Sequence, residues 1–156
     1  MPEVSPRVLV VAYGNPLRGD DGVGAAIASA LAPAAAEHVD VLICHQLTPE
    51  LAECIAAVDL VVFIDAQLGG APGSIAVSSV PHDATTHSTP FVHHMNPNAL
   101  VSMAAALFGR APSAFIVTVS AGSFELNERL SERVALAVPE AIEVIRQLIA
   151  NELHGA

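Results

Sequence analysis

Three acidic side chains and a histidine of this sequence are suited to binding a divalent cation. Asp20 and Asp21 follow the first apolar run, Asp65 ends the third, and His93 lies in a polar loop before a helical pattern. Two carboxylates and an imidazole suit a borderline ion such as Ni²⁺ or Zn²⁺, and three protein ligands leave coordination positions open for reaction. The same groups also suit a general acid–base pair or two carboxylates that share a proton. The residues alone leave these alternatives open.

Each of these residues, taken singly, also has an ordinary structural explanation. Asp20 or Asp21 can cap a helix and interact with its dipole, which contributes about 0.3–1 kcal/mol at an exposed site. Asp65 can form the turn that ends a strand, and His93 can be a loop histidine. One aspartate suffices for a cap, so capping leaves the second aspartate unexplained.

The glycines around Asp20 do not form a phosphate-binding loop. Gly14 and Gly19 have the spacing of a P-loop, but Asp20 occupies the position of the lysine. The dinucleotide-binding fingerprint also fails, because Gly22 and Gly24 lack a third glycine. A carboxylate at this point would repel phosphate, whereas it can bind a cation.

Alternating strand and helix patterns predict the elements that position the candidate site. Continuous apolar runs are typical of strands buried on both faces, and they predict strands at 7–14, 39–46, 59–66 and 113–120. The run 74–80 follows a connection too short for a crossover helix, so we expect an antiparallel edge strand there. Helices are predicted at 21–31, 48–57, 96–108 and 131–153. Thr48 is the expected cap of the second helix, and Gly109 follows the third. Pro139 predicts a kink or break in the fourth.

These patterns predict an α/β fold, a three-layer α/β/α sandwich around a mostly parallel twisted sheet of about five strands with one antiparallel edge strand. Ligands of such sheets bind beyond the carboxyl ends of the strands. Asp20, Asp21 and Asp65 fall there, as does the long polar loop 81–94 that holds His93.

Composition limits the partners of this chain. Its 156 residues suit a single domain over 1–156, and a net charge of −10 with six Lys and Arg disfavours nucleic acid and anionic membranes. No apolar run reaches the roughly 18 residues of a membrane span, and the first residues lack the features of a signal peptide. We therefore expect a cytoplasmic protein. We also expect a monomer, because no long exposed apolar helix stands out in the sequence. Cys44 and Cys54 lack CxxC spacing and are expected to be buried free thiols.

The stretch GNPLRGDDGVG (14–24) resembles the G-N-x-L-x-x-D-D/E-x-x-G motif of the hydrogenase maturation endopeptidases. Three further stretches agree with that family in order: FIDA at 63–66, HHMNPNALVSMAAALFG at 93–109 and LSERVALAVPEAIEVI at 130–145. The resemblance covers essentially the whole chain.

The resemblance implies a peptidase that removes a short C-terminal extension from a [NiFe] hydrogenase large-subunit precursor after nickel insertion. In that family a cleft holds a divalent metal between two acidic residues and a histidine, which correspond here to Asp21, Asp65 and His93. His94 is a rival for His93, which we prefer because it lies seven residues before Leu100. The metal is expected to be Ni²⁺ supplied by the substrate, with Zn²⁺ or Cd²⁺ as substitutes and none tightly bound.

The resemblance leaves the mechanism and the substrate open. A metal can polarise the scissile carbonyl or activate water, or the aspartates can act as general base in an aspartic-type protease. Many members carry an acidic D-G-G-T-like stretch where this chain has CHQLTPELAE (44–53), which resembles the branch serving soluble NAD-linked or bidirectional hydrogenases. If that acidic residue recognises substrate elsewhere, Gln46 must act differently here.

Two other functions compete with the protease. One is a nickel-binding or delivery protein on the same scaffold, in which the histidines of one loop collect the metal: His82, His87, His93 and His94. The other is a small-molecule α/β enzyme, such as a purine-binding protein. The acidic pair Asp20–Asp21 and the scarcity of basic residues disfavour the second alternative.

Overall fold

The computed structural model describes residues 6–34, 37–81 and 95–154, and their strands form one five-stranded sheet with helices on both faces. The strands are β1 Val8–Tyr13, β2 Val39–Cys44, β3 Leu60–Leu68, β4 Ile75–Ser79 and β5 Ser113–Ala121. The helices are α1 Val23–Leu31, α2 Leu51–Ala56, α3 Pro97–Phe108 and α4 Glu132–His154. The strand order is β2-β1-β3-β5-β4, with β4 antiparallel to β5 and the other pairs parallel. The predicted α/β fold with its antiparallel edge strand is confirmed.

Both faces of the central strands are buried, as their continuous apolar sequences require. Along β3, Leu60, Val62 and Ile64 pack on the side of α1 and α4, whereas Val61 and Phe63 pack on the side of α2 and α3. Successive side chains of a strand alternate between the faces, so this chain has two cores separated by the sheet. All five of these β3 side chains are 2% exposed or less.

The strand order predicts a ligand crevice between the ends of β1 and β3. In the sheet, β1 lies between β2 and β3, so the connection from β1 leads to one side of it and the connection from β2 to β3 returns to the other. In α/β sheets, ligands bind beyond the carboxyl edge where the strand order reverses in this way. The pairing of β1 with β3 ends at Ala12 and Ile64. Tyr13 and Asp65 are therefore the next residues of the two strands at this edge.

Helix α3 begins and ends as its sequence predicts. The side chain of Asn96 accepts a hydrogen bond from the Ala99 amide at 2.8 Å, and Pro97 occupies the first helical position. Gly109 closes the helix with a left-handed φ of 70°.

Two local predictions are wrong, and one of the two alternatives for a third is excluded. Thr48 does not cap α2, because the helix begins at Leu51 and the Thr48 carbonyl accepts from the Leu51 amide in the preceding turn. Asp65 does not end its strand, since β3 continues to Leu68 along β5. The break that was predicted at Pro139 as the alternative to a kink is absent, because α4 is continuous from Glu132 to His154 through the proline.

The two thiols occupy different surroundings. Cys44 is half-buried at the end of β2, whereas Cys54 is exposed, and both are free. The expectation of a buried thiol is thus wrong for Cys54, because α2 turns Ala52, Ile55 and Ala56 toward the core instead. None of the helices in the described part of the chain is long and apolar enough to cross a membrane.

Candidate active site

The turn after β1 brings the two adjacent aspartates to the crevice. Its first residue, Gly14, has a φ of 145°, and a Cβ atom there would lie 2.3 Å from the carbonyl oxygen of Asp21. The Gly14 amide lies 3.1 Å from the carbonyl oxygen of His45 and donates to it. Only glycine fits this position, so the glycine of the motif allows the chain to fold Asp21 back against the end of β1.

Asp20 is a structural residue. It is 1% exposed, and its carboxylate accepts hydrogen bonds from the Ser131 amide at 2.6 Å, the Ser131 hydroxyl at 2.8 Å and the amides of Gly122 at 2.7 Å and Ser123 at 3.2 Å. Burial raises the pKa of a carboxyl group, but these donors outweigh it and hold the pKa of Asp20 below its ordinary value. Asp20 thereby joins the turn after β1 to the loop before α4.

Neither aspartate caps a helix. The residues at the N-cap positions of the 3₁₀ turn Gly19–Gly22 and of α1 are Arg18 and Gly22, and neither makes a side-chain capping bond. The capping explanation of Asp20 and Asp21 is therefore wrong.

Asp21 is half-buried at the crevice. Its Oδ2 atom accepts a hydrogen bond from the backbone amide of Asn15 at 2.7 Å. Asn15 is itself fixed, because its side-chain oxygen accepts from the Leu17 amide at 3.0 Å. The asparagine of the motif thus orients Asp21 through its backbone and shapes the turn through its side chain.

Asp65 lies beside Asp21 at the same edge of the sheet. Its Oδ2 atom accepts a hydrogen bond from the Tyr13 hydroxyl at 3.0 Å. Burial raises the pKa of Asp65 to about 6 and the charge of Asp21 adds to the rise, while the hydrogen bonds from Tyr13 and the Ala66 amide oppose it. The two carboxylates are close enough to repel each other.

A divalent cation fits these two carboxylates. Among the described residues, the ion pairs are Arg7 with Asp40 and Arg110 with Asp59, so neither Asp21 nor Asp65 has a basic partner there. Carboxylate oxygens bind divalent ions, and such an ion would remove the repulsion. Residues 6–34, 37–81 and 95–154 contain no cluster of three His, Cys, Asp or Glu side chains that could hold a metal.

The two candidate histidines, His93 and His94, lie outside the described residues. The described chain resumes at Met95, which packs against the core on the side of α2 and α3. Tyr13 packs against the same core.

Tyr13 was not among the candidate site residues predicted from the sequence, and Cys44 was expected only to be a buried free thiol. Tyr13 is paired with Cys44 of β2, and both side chains lie on the face of the sheet that carries α2 and α3. Burial raises the pKa of the Cys44 thiol, which donates to the carbonyl oxygen of Ala12 at 3.7 Å. The alternation of side chains along β1 indicates the buried face of Tyr13, but a tyrosine at the end of a strand belongs to no metal-ligand motif in the sequence.

Solved structures match this chain over nearly its whole length. It is similar to the hydrogenase maturating endopeptidase HybD from E. coli, with a TM-score of 0.78 and 25% identity over 94% of this chain and 93% of that one. The [NiFe] hydrogenase maturation protease HycI from Thermococcus kodakarensis KOD1 gives a TM-score of 0.74 and 26% identity over 94% of each chain. The [NiFe] hydrogenase maturation protease HybD from Thermococcus kodakarensis gives a TM-score of 0.69 and 26% identity over 91% of this chain and 98% of that one. No protein-family model and no curated protein sequence matches.

Proposed function

We propose that this chain, which belongs to the hydrogenase maturation endopeptidase family, is a peptidase that removes the C-terminal extension of a [NiFe] hydrogenase large-subunit precursor after nickel insertion. The observation that carries the proposal is the pair Asp21 and Asp65. Two half-buried carboxylates, each oriented by a donor from the end of β1, lie together without a basic partner among the described residues.

The nickel of the precursor is the recognition element in this proposal. Asp21 and Asp65, with His93 as third ligand, bind the exposed side of that ion and so hold the neighbouring peptide bond at the crevice. In this proposal the three side chains hold the ion firmly only when the precursor supplies the remaining ligands. The free protein is therefore expected to carry well under one metal ion per chain.

Hydrolysis then needs a water molecule to add to the scissile carbonyl carbon and the amine to leave with a proton. If the nickel polarises that carbonyl or activates the water, the reaction depends on nickel in the substrate. If a carboxylate acts alone as general base, nickel is dispensable for the chemistry.

The test compares the nickel-loaded precursor with the same precursor prepared without nickel, each incubated with the purified protein. We expect cleavage of the loaded precursor alone. Asp65→Ala should abolish cleavage, whereas Asp40→Asn, at an exposed site on β2, should cleave like the wild type.

Two results would contradict parts of this proposal. Equal cleavage of both precursors in the presence of chelator would exclude recognition through substrate nickel and leave a carboxylate-based protease. Tight binding of one Ni²⁺ per chain without any cleavage would exclude the peptidase and favour a nickel-delivery protein.

A further inference from the structure

The hydrogen bond between Tyr13 and Asp65 joins two adjacent strands at the point where their pairing ends. The last pairs are Val11 with Phe63 and Ala12 with Ile64, so Tyr13 and Asp65 are the next residues in register. The Tyr13 side chain is half-buried and packs against the core on the side of α2 and α3. The ring is held by the core, and the hydroxyl reaches the Asp65 carboxylate at 3.0 Å.

Burial of the Asp65 carboxylate is costly for the fold. Burial raises the pKa of Asp65 to about 6, and the hydrogen bond from the Tyr13 hydroxyl offsets only part of that rise. A buried charged group is generally less stabilising than apolar side chains of similar volume. A phenylalanine at position 13 would complete the core equally well, so packing does not explain the hydroxyl.

Tyr13, the last residue of β1, and Asn15, in the turn after it, orient the carboxylates of Asp65 and Asp21. The Asn15 amide donates to Asp21 at 2.7 Å, and the Tyr13 hydroxyl donates to Asp65 at 3.0 Å. Gly14 lies between the two donors, and a Cβ there would meet the Asp21 carbonyl oxygen. A single stretch of three residues thus determines where both carboxylates lie.

We propose that Tyr13 is a positioning residue, whose hydroxyl holds the Asp65 carboxylate in the orientation in which it acts beside Asp21; its catalytic consequence rests on the proposed function. Outer hydrogen-bonding partners of this type change metal affinity or activity by about 10- to 100-fold when they are removed. We expect Tyr13→Phe to lower kcat by about that factor.

The contact itself can be tested without any substrate. The chain contains one tyrosine and no tryptophan, so its tyrosine fluorescence reports on Tyr13 alone. A hydrogen bond to a carboxylate quenches tyrosine emission. Asp65→Ala should therefore increase the emission of the folded protein, and the control Asp40→Asn, on β2, should leave it unchanged. Equal emission from Asp65→Ala and the wild type would overturn the inference.

The catalytic consequence is tested with nickel-loaded precursor. Tyr13→Phe should lower kcat with KM and the melting temperature close to those of the wild type, because the ring and its packing are retained. Cys44→Ala removes a side chain on the other side of Tyr13 and is the control for altered packing. A wild-type kcat in Tyr13→Phe, or an equal loss in Cys44→Ala, would overturn the positioning role. A wild-type protein that cleaves nothing would overturn the proposed function instead, and the fluorescence comparison would still decide whether Tyr13 holds Asp65.

Discussion

Ser131 donates two hydrogen bonds to Asp20 across 111 residues of sequence, one from its amide at 2.6 Å and one from its hydroxyl at 2.8 Å. These bonds assign the two adjacent aspartates of the motif different roles. Asp20 fastens the turn after β1 to the start of α4, while Asp21 lies at the crevice against Asn15. The structure therefore separates an aspartate needed for folding from one proposed for binding.

Asp20→Asn is expected to destabilise the fold by about 2–4 kcal/mol. The carboxylate accepts four hydrogen bonds in a buried position, and the amide of asparagine would turn a donor toward other donors. Urea unfolding at pH 7 measures this loss. Asp21→Asn is the matched control, expected to cost less than about 1 kcal/mol because one backbone donor is involved. A stability loss in Asp21→Asn as large as in Asp20→Asn would contradict this separation.

The stabilising effect of Asp20 should disappear in acid. Its pKa is below the ordinary 3.8, so the ionised form is favoured in the folded state. Its contribution is fully present above that ordinary value and is lost as the pH falls through the lower, folded value. The gap in unfolding free energy between wild type and Asp20→Asn should be constant from pH 7 to pH 5 and shrink below about pH 4. A gap that widens in acid would refute the assignment.

Asp65→Asn is expected to stabilise the protein at neutral pH while it abolishes processing. The pKa of Asp65 rises from 3.8 to about 6, so its protonated form is favoured in the folded state. Below about pH 4 Asp65 is protonated in the folded and the unfolded state, so it does not lower the free energy of unfolding. As the pH rises through 6, the charge must be buried in the folded state and the free energy of unfolding falls. Relative to the wild type, Asp65→Asn should gain on the order of 2 kcal/mol at pH 8, after allowance for screening by water, and nothing at pH 3.5. Thermal unfolding at the two pH values measures the difference, and a destabilised variant at pH 8 would count against the burial of this charge.

Gly14→Ala should cost more than about 2 kcal/mol and abolish processing. The substitution adds a Cβ that would lie 2.3 Å from the Asp21 carbonyl oxygen at a φ of 145°, so the turn must move together with Asp21. Gly109→Ala is the control, because its φ is 70° but no atom lies within 4 Å of the added Cβ. The control should cost about 1 kcal/mol and process precursor normally. Equal effects of the two substitutions on processing would disprove the steric role of Gly14.

Mutation can decide whether His93 or His94 is the third ligand. His93→Ala should lower processing far more than His94→Ala, because His93 is the proposed third ligand beside Asp21 and Asp65. The measurement is the initial rate of precursor cleavage at matched protein concentration. The opposite order of rates would assign the ligand to His94.

The sequence by itself determined the layers of this protein and the edge of the sheet at which its candidate residues Asp21 and Asp65 lie. Short apolar runs rich in β-branched residues indicate buried strands by their length and composition, and the short connection before β4 makes that strand antiparallel. The placement of Asp21 follows from this, because a residue that comes after a buried parallel strand lies at the carboxyl edge whatever the details of packing. Asp65 was placed at the same edge, although its strand continues three residues further along β5. The cap of α3 at Asn96 was also predictable, since the bond to Ala99 spans only three residues.

Only the tertiary structure decided which side chains meet. The resemblance to a family motif selects Asp21 as the ligand but assigns no role to Asp20, whose role appears only when loops 102 and 111 residues away supply its donors. Tyr13 carries no motif of its own, and it meets Asp65, 52 residues later, because β1 and β3 are neighbours in register. Periodicity in the sequence indicates which face of a strand or helix is buried. Hydrogen-bond partners depend instead on strand order and register, and these are determined by contacts between segments that are distant in sequence.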